Sequence, residues 1–435
     1  MNRADRKTAI ATSFMAVFAA VAFSQSQTAF DPGKTYPVEA LMEDLKTLWD
    51  VLEEGHGGLD RYTPADALKK GFVAAGDSLT GPSTEFDFYS MLLPLVAGIK
   101  DGHTRLMLSP AAGAYLDAQP VFLPFGLRFF KDKAYVFRNL SSDAGIKDGA
   151  ELLAIDGTPM RDVVPALLAL LPSDAGIRTS GLRRLEYPAA FGRLLALRFG
   201  RRETRRISFR PFRGAEIAEI TIPCITAADI VRLLPERYPA TAERRPAYEL
   251  SFEGATAVLT IRVFGDDLDK AKPRFPEFLE ETFRSLEEKG TPNLIIDLRG
   301  NGGGFDVTGH PNRGLQTPQK PRFAGRVAIL IDGGSFSTTG ETTSLFHYHK
   351  KAVFFGEECG SGYYGSTSGF MVTATLPNTR IQIRVPLVLC RMAVDSYPKD
   401  RGIVPDFPVT PAIEDLLACR DPVMARALLF LEKGR

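Results

Sequence analysis

Apolar residues recur at helical spacing between Pro37 and about Lys100, in Leu41, Leu45, Leu48, Trp49 and Leu52 and again in Phe88, Met91, Leu92, Leu95 and Val96. Gly57-Gly58 and Thr63-Pro64 interrupt that pattern, so a small bundle of helices ending just before His103 is predicted. From Pro120 to about Leu171 the period shortens. Leu127–Phe130 and Ala134–Phe137 alternate as strands do, and Ala144–Gly157 reads as a one-turn helix, a Gly-ended turn, a strand and a tight Asp-Gly turn. Alternation in Ala196–Phe199 and Ile207–Arg210 around Gly200-Arg201 predicts a hairpin. From Ala247 onward strands alternate with helices: Ala257–Val263 strand, Asp267–Lys289 helix opening, Asn293–Leu298 strand, Arg326–Asp332 strand, Thr338–His349 helix, Val353–Phe355 strand. That order predicts βαβ crossovers and a largely parallel sheet, an α/β fold.

Composition adds bounds. The 435 residues are 44% hydrophobic and 24% charged, which suits two or three globular domains. A net charge of +1 provides no global field to gather nucleic acid or acidic lipid. Eight arginines between Arg193 and Arg213 are read as one solvated face of the hairpin, not as a nucleic-acid surface. At the N-terminus, Arg3, Arg6 and Lys7 precede an apolar run from Thr8 to Phe23 that ends in Ala22-Phe23-Ser24. The run is shorter than the ~20 residues a membrane span needs and has the layout of an export signal over residues 1–24. A periplasmic or secreted protein without a stable span is expected. Cys224, Cys359, Cys390 and Cys419 are scattered, with no metal-ligand spacing, so neither a structural metal nor a cofactor is expected.

The chemistry concentrates in two turns. Asn293–Gly304 (NLIIDLRGNGGG) ends a strand in backbone able to turn N–H groups toward an anion, and Ala328–Glu341 (AILIDGGSFSTTGE) presents serines at a strand-to-helix elbow. Ser335 and Ser337 both lie in that elbow. Ser337 directly precedes the helix, where unpaired N–H groups and the dipole favour negative charge, and is the candidate nucleophile. A serine needs a base, and His103 in Asp101-Gly102-His103-Thr104 is the candidate, with an imidazole expected to titrate at roughly 6–7. His56, His310, His347 and His349 lie in settings that favour packing or solvent.

Leu294–Gly304, Gly333–Glu341 and Arg401-Gly402-Ile403-Val404-Pro405-Asp406 together resemble the tail-specific, C-terminal processing peptidase family, whose catalytic core is crotonase-like. The resemblance implies an oxyanion hole from the N–H groups of Gly303 and Thr338. Many members carry a lysine base in a "GKG" motif, but Gly356–Gly365 here has no lysine, and the Asp-Gly-His-Thr turn is similar to the tricorn-core Ser/His branch. In that branch a Glu precedes the final motif, and Lys399 stands in the matching place. The group that orients His103 is therefore open among Asp400, Asp101 and Glu341. Residues 144–157 (AGIKDGAELLAIDG) resemble a PDZ domain, which takes up extended peptides along a sheet edge.

The predicted organisation is a signal over 1–24, a helical domain over 36–116, a PDZ-like domain over 118–180, a β-rich connecting segment over 181–246, a catalytic core over 247–415 and a C-terminal helix over 416–435. The function implied is hydrolysis of unfolded or extended polypeptide by Ser/His acyl-enzyme chemistry. A ligand-binding protein on the same fold is the alternative.

Overall fold

The apolar run Leu294-Ile295-Ile296 is buried on both faces because the strand that contains it lies in the middle of a six-stranded sheet. In this computed structural model, residues 30–143, 145–241, 245–265, 274–304 and 323–433 are described. The expected signal segment, His310 and the predicted start of a helix at Asp267 lie outside them. The sheet runs in the order Tyr248–Glu253, Thr256–Ile261, Asn293–Asp297, Arg326–Ile331, Val353–Gly356 and Phe407–Pro408; the first pairing is antiparallel and the others are parallel. Successive side chains point to opposite sides. Leu294, Ile296, Ile329 and Ile331 pack with Phe283 and Phe346 of the helices Phe275–Glu288 and Thr338–Tyr348. Ile295, Ala328 and Leu330 meet Val423, Ala427 and Leu431 of the helix Pro422–Lys433 on the other side. The mixed α/β class expected from the chain pattern is therefore present.

The helices Val38–Gly55, Ala65–Asp77 and Glu85–Ala97 occupy the predicted helical region, and the last ends six residues before His103. What fixes them to the core is a feature the pattern did not reveal. A long hairpin, Gly365–Thr375 and Gln382–Arg391, takes Arg105–Met107 as a third strand. The carboxylate of Asp44, fully buried, accepts from the amide (2.8 Å) and hydroxyl (2.5 Å) of Thr379 at the hairpin tip. Gly57 donates its amide to the Pro386 carbonyl at 2.9 Å, and a Cβ there would stand 2.7 Å from the Val388 backbone, so only glycine permits the approach. The turn bearing His103 is thereby held against the core.

A second six-stranded sheet contains Phe125–Phe130, Lys133–Asn139, Glu151–Ile155, Thr204–Arg210 and Ala218–Pro223, all antiparallel, with Thr158–Pro159 on its side. The strands predicted within Pro120–Leu171 are thus completed by two from beyond residue 180. The expected hairpin around Gly200-Arg201 is not formed. Pro188–Phe199 is a helix, with Pro188 in its first turn, Phe191, Leu194 and Leu195 buried at helical spacing, and Gly200 (φ 86°) beyond its end. The stretch 181–246 holds the helices Arg178–Leu185 (in part), Pro188–Phe199 and Ala227–Arg237 as well as strands, so "β-rich" describes it poorly. Nor are its arginines all solvated. Arg205 is fully buried and pairs with Asp156 at 2.7 Å, while Arg210 pairs with Glu151 at 2.6 Å. The strand Phe125–Phe130 is largely buried, and the Phe129 amide donates to Glu186 at 3.5 Å, so a carboxylate already stands at part of that edge.

All four cysteines are free thiols. Among the described residues no helix is long and apolar enough to cross a membrane.

Arg183 joins the helix Arg178–Leu185 to the core by reaching Glu186 (3.0 Å), Asp332 (3.2 Å) and Glu357 (2.9 Å). Removing it leaves three crowded carboxylates without their shared cation, and breaking such a partly buried network costs about 3–5 kcal/mol. Arg183→Ala is expected to lower unfolding free energy by about that amount in urea denaturation, whereas an exposed pair such as Lys46–Asp50 removed by Lys46→Ala should change it by less than about 1 kcal/mol.

Candidate active site

The strand Arg326–Ile331 ends in Asp332-Gly333-Gly334-Ser335-Phe336, and Ser337 caps the helix that follows. Ser337 has φ 60° and ψ −125°, a region that residues with a Cβ seldom occupy. Four hydrogen bonds impose it. The Phe336 amide donates to the Asn301 carbonyl (2.9 Å), the Ser337 amide to Ser361 Oγ (2.7 Å), the Thr339 hydroxyl to the same Asn301 carbonyl (3.0 Å) and the Thr338 hydroxyl to the Gly304 carbonyl (2.9 Å). Asp332 Oδ1 accepts from Gly300 (2.9 Å) and Gly334 (2.8 Å), tying the two Gly-rich turns together.

The two serines separate cleanly. Ser335 is fully buried; its hydroxyl donates to the Leu298 carbonyl (2.8 Å) and accepts from the Asp332 amide (3.1 Å). It is spent on structure. Ser337 Oγ instead lies 3.1 Å from His103 Nε2. Gly303 stands against that serine: its φ is +100°, and a Cβ would come 2.6 Å from Ser337 Cβ and 3.1 Å from the Thr338 nitrogen. Thr338, as first residue of the helix, has no intrahelical partner for its amide. The Gly303 amide is engaged, donating to Asn301 Oδ1 at 2.9 Å. Of the two expected oxyanion donors, both lie beside Ser337 and the Thr338 amide is the one at a helix start.

His103 is set by its own turn. The Phe336 ring lies 4.5 Å from the imidazole, tilted by 33°, and a Cβ on Gly102 would collide with that ring at 2.6 Å. Asp101 Oδ1 accepts the His103 amide at 2.8 Å, while its Oδ2 takes His56 Nε2 (2.8 Å) and the Thr367 hydroxyl (2.5 Å). The Gly58 amide donates to His56 Nδ1 at 3.0 Å, which places the imidazole proton on Nε2, facing Asp101 and Thr104 Oγ1. Burial works to raise the Asp101 carboxyl, but the bonds from His56, Thr367 and His103 outweigh it and hold it below the usual range. Asp174, fully buried, accepts from the amides of Gly102 (2.8 Å) and Gly362 (3.2 Å) and is pushed up by burial and then by the Asp101 charge.

His103 Nδ1 is buried without a hydrogen-bond partner among the described residues, yet one donor atom each of His103, Asp101 and Asp174 lie within 4.8 Å of one another. Among the described residues this trio is the grouping able to hold a cation, although both carboxylates are already occupied by N–H and O–H donors. Of the three acids expected to orient His103, Asp101 is at hand. Glu341 is buried and accepts from Ser366 Oγ at 2.8 Å; Asp400 is exposed and makes none of these contacts. Asp174 and His56 were missed. His56 sits at a helix C-cap, and its only sequence signal was the flanking Gly57-Gly58; Asp174 offered none, because its contact with Gly102 spans 72 residues.

Residues 255–309 match the model of peptidase family S41. That segment contains the strand Thr256–Ile261 and the turn of Gly303, the part of the chain against which Ser337 is packed. Over that segment the chain is similar to this family, that of the tail-specific and C-terminal processing peptidases. The match marks the chain as a serine-type peptidase. Among solved structures it is similar to mature CPAF, at 14% identity over 87% of this chain and 94% of that one, with a TM-score of 0.58. It is similar also to mature CPAF complexed with lactacystin, at 14% identity over 91% and 97%, with a TM-score of 0.59. At that identity the likeness is one of fold. Comparison with curated proteins finds no match.

Burial drives His103 down to about 4; the Asp101 charge opposes this, and Arg184, Arg105 and Arg384 add to it. The expectation of a midpoint at 6–7 is corrected accordingly: the imidazole is too desolvated to titrate there. In an NMR titration of histidine ring nitrogens, His103 should remain neutral down to pH 5, with a midpoint near 4. Because the folded value lies below the unfolded value of ~6.5, its contribution to stability is present in full above 6.5 and is lost as pH falls toward 4. A His103 midpoint at 6 or above would show that the site is more open than described.

Proposed function

We propose that the protein is an exported serine peptidase that hydrolyses peptide bonds of unfolded or extended polypeptides by Ser/His acyl-enzyme chemistry. The observation that carries it is the 3.1 Å approach of His103 Nε2 to the hydroxyl of Ser337, a serine in strained backbone beside a Gly-rich turn. Ser337 Oγ attacks the scissile carbonyl while His103 takes its proton. The oxyanion is met by the Thr338 amide and by that of Gly303, which shares its proton between Asn301 Oδ1 and the substrate. His103 then protonates the departing amine, the C–N bond breaks, and a water activated by the same imidazole hydrolyses the ester. The carboxylate of Asp101, fixed by His56, and that of Asp174 stabilise the imidazolium formed at each step.

The corresponding organisation is a signal over 1–24, a helical domain over 36–116, a PDZ-like module beginning at 118 and extended by the strands up to Pro223, a crotonase-like core over 247–415 of the tricorn-like branch, and a C-terminal helical segment over 416–435. Strand addition at Phe129 would have to displace Glu186, so in this scheme the module frames the cleft and the chain is selected near Ser337. The rival reading is a ligand-binding protein without catalysis, for which the lysine at position 399, in place of the family's acid, speaks.

Cleavage of an unfolded protein separates the two. Ser337→Ala should lose more than about 10³-fold in kcat/KM with the fold unchanged. Ser335→Ala should retain cleavage but lose about 1–3 kcal/mol of stability, since it strips the buried Asp332 amide of its partner and leaves the Leu298 carbonyl with the Asn301 amide alone. Wild-type protein inert against every unfolded substrate tested would favour the binding protein; cleavage undiminished in Ser337→Ala would reject the nucleophile.

A further inference from the structure

We infer that Phe336, the residue just before the nucleophile, is a positioning residue for the proton transfer: its ring holds the His103 imidazole against Ser337 and keeps water from the pair. The inference rests on the peptidase function proposed above and adds the residue that sets the base.

An imidazole that serves a serine is usually held from behind by a group bonded to its Nδ1. Here His103 Nδ1 is buried without such a partner among the described residues, and the polar contact of the ring is the approach of Nε2 to Ser337 Oγ at 3.1 Å. A ring pinned at one atom can still swing about it. The group packed on its face is Phe336, with the two ring centroids 4.5 Å apart and tilted by 33°, a favourable separation for an aromatic pair. The contact reaches past the imidazole to the turn that carries it, since a Cβ on Gly102 would stand 2.6 Å from the Phe336 ring. Gly102 is itself clamped, its amide donating to Asp174 at 2.8 Å and its carbonyl accepting from Arg184 at 2.7 Å. On the other side, the Phe336 amide donates to the Asn301 carbonyl at 2.9 Å and its carbonyl accepts from the Thr339 amide at 3.2 Å. The phenyl group thus bridges two fixed backbones, and the imidazole lies against it.

Packing of the fold does not call for an aromatic there. Phe336 is half-buried and belongs to neither of the two hydrophobic cores that flank the central sheet, while its neighbours Ser335 and Ser337 are buried. Its contact with the base is what its position supplies. An apolar ring brings no hydrogen bond to compete with Ser337 for Nε2, and it withdraws one face of the imidazole from water. The charged groups that act on His103 come from other side chains: Asp101 on its own turn, Asp174 within 4.8 Å, Arg184 on the helix Arg178–Leu185, and Arg105 and Arg384 on the paired strands. Asp101 favours the imidazolium, the three arginines oppose it, and burial is the largest influence. Replacing Phe336 leaves those charges in place and lessens the burial, so its effect on the titration has one sign, upward.

The test compares wild type with Phe336→Ala, Phe336→Leu and Phe336→Tyr, each checked for folding by circular dichroism. Two quantities are read: kcat and KM against pH on one unfolded substrate, and the NMR titration of the His103 ring nitrogens. Wild type should show an acid limb in kcat/KM and an NMR transition, both with a midpoint near 4. Phe336→Ala should lose about 10- to 100-fold in kcat on the alkaline plateau with KM within about 3-fold of wild type, because a misplaced base costs rate and not binding. Its midpoint should rise toward the ordinary ~6.5 in both measurements. Phe336→Leu should move both the same way by less, and it carries the test if the alanine variant does not fold. Phe336→Tyr, which keeps the ring, should match wild type. A residue that served stability alone would lower resistance to unfolding and leave the pH limb where it was. A midpoint unmoved in Phe336→Ala, a kcat unmoved beside a shifted midpoint, or a wild-type midpoint already at ~6.5 overturns the inference. Failure of the peptidase reading shows itself apart, as wild-type protein that cleaves no unfolded substrate or as cleavage surviving in Ser337→Ala. The NMR titration, which needs no substrate, then still decides whether the ring shields the imidazole.

Discussion

The rest of the site depends on the backbone of Ser337 being held at φ 60°, ψ −125°. Holding such a residue in a sparsely populated region costs of order 1–3 kcal/mol, so neighbours must over-determine it. They do so from the Gly-rich turn: the Asn301 carbonyl takes the Phe336 amide and the Thr339 hydroxyl, and Gly303 lies so close to Ser337 that no Cβ fits between. The parallel pairing of Asn293–Asp297 with Arg326–Ile331 brings these two turns to the same end of the sheet. Fold and site are linked at this one point, where the carboxyl ends of adjacent strands meet.

Around His103 the chain resolves a conflict between burial and charge. The imidazole must be dry to meet Ser337, yet it must accept a proton. Asp101 is kept ionised by His56, Thr367 and a backbone amide, and Asp174 is driven toward its neutral form by burial and by Asp101. Two buried carboxyls pushed in opposite directions sit within 4.8 Å of the imidazole; the Asp101 charge opposes the burial that keeps His103 neutral, and Nδ1 has no bonded partner among the described residues in the resting state.

The sequence made the central elements legible because they carry strong local signals. The apolar runs of the parallel strands, the Gly-rich turn and the Ser-bearing elbow each announce themselves over fewer than about fifteen residues. What stayed hidden was long-range. The third strand Arg105–Met107 pairs with residues near 383, the Asp174 contact to Gly102 closes a long loop, and His56 reaches Asp101 from a helix end. No local pattern reports such contacts. The helix Pro188–Phe199 was misread because four alternating residues outweighed the 3.6-residue spacing of Phe191, Leu194 and Leu195. The titration of His103 was misjudged because its burial is set by packing that the local sequence does not report, including the ring of Phe336 from the distant elbow at 4.5 Å.

The central claim is that Ser337 is a nucleophile activated by His103. Treatment with a fluorophosphonate at neutral pH, followed by peptide mapping, tests it most directly. The account predicts a single adduct on Ser337 and a labelling rate that collapses in His103→Ala while the protein remains folded. An adduct on Ser335 or elsewhere, or equally fast labelling of Ser337 without His103, would contradict it.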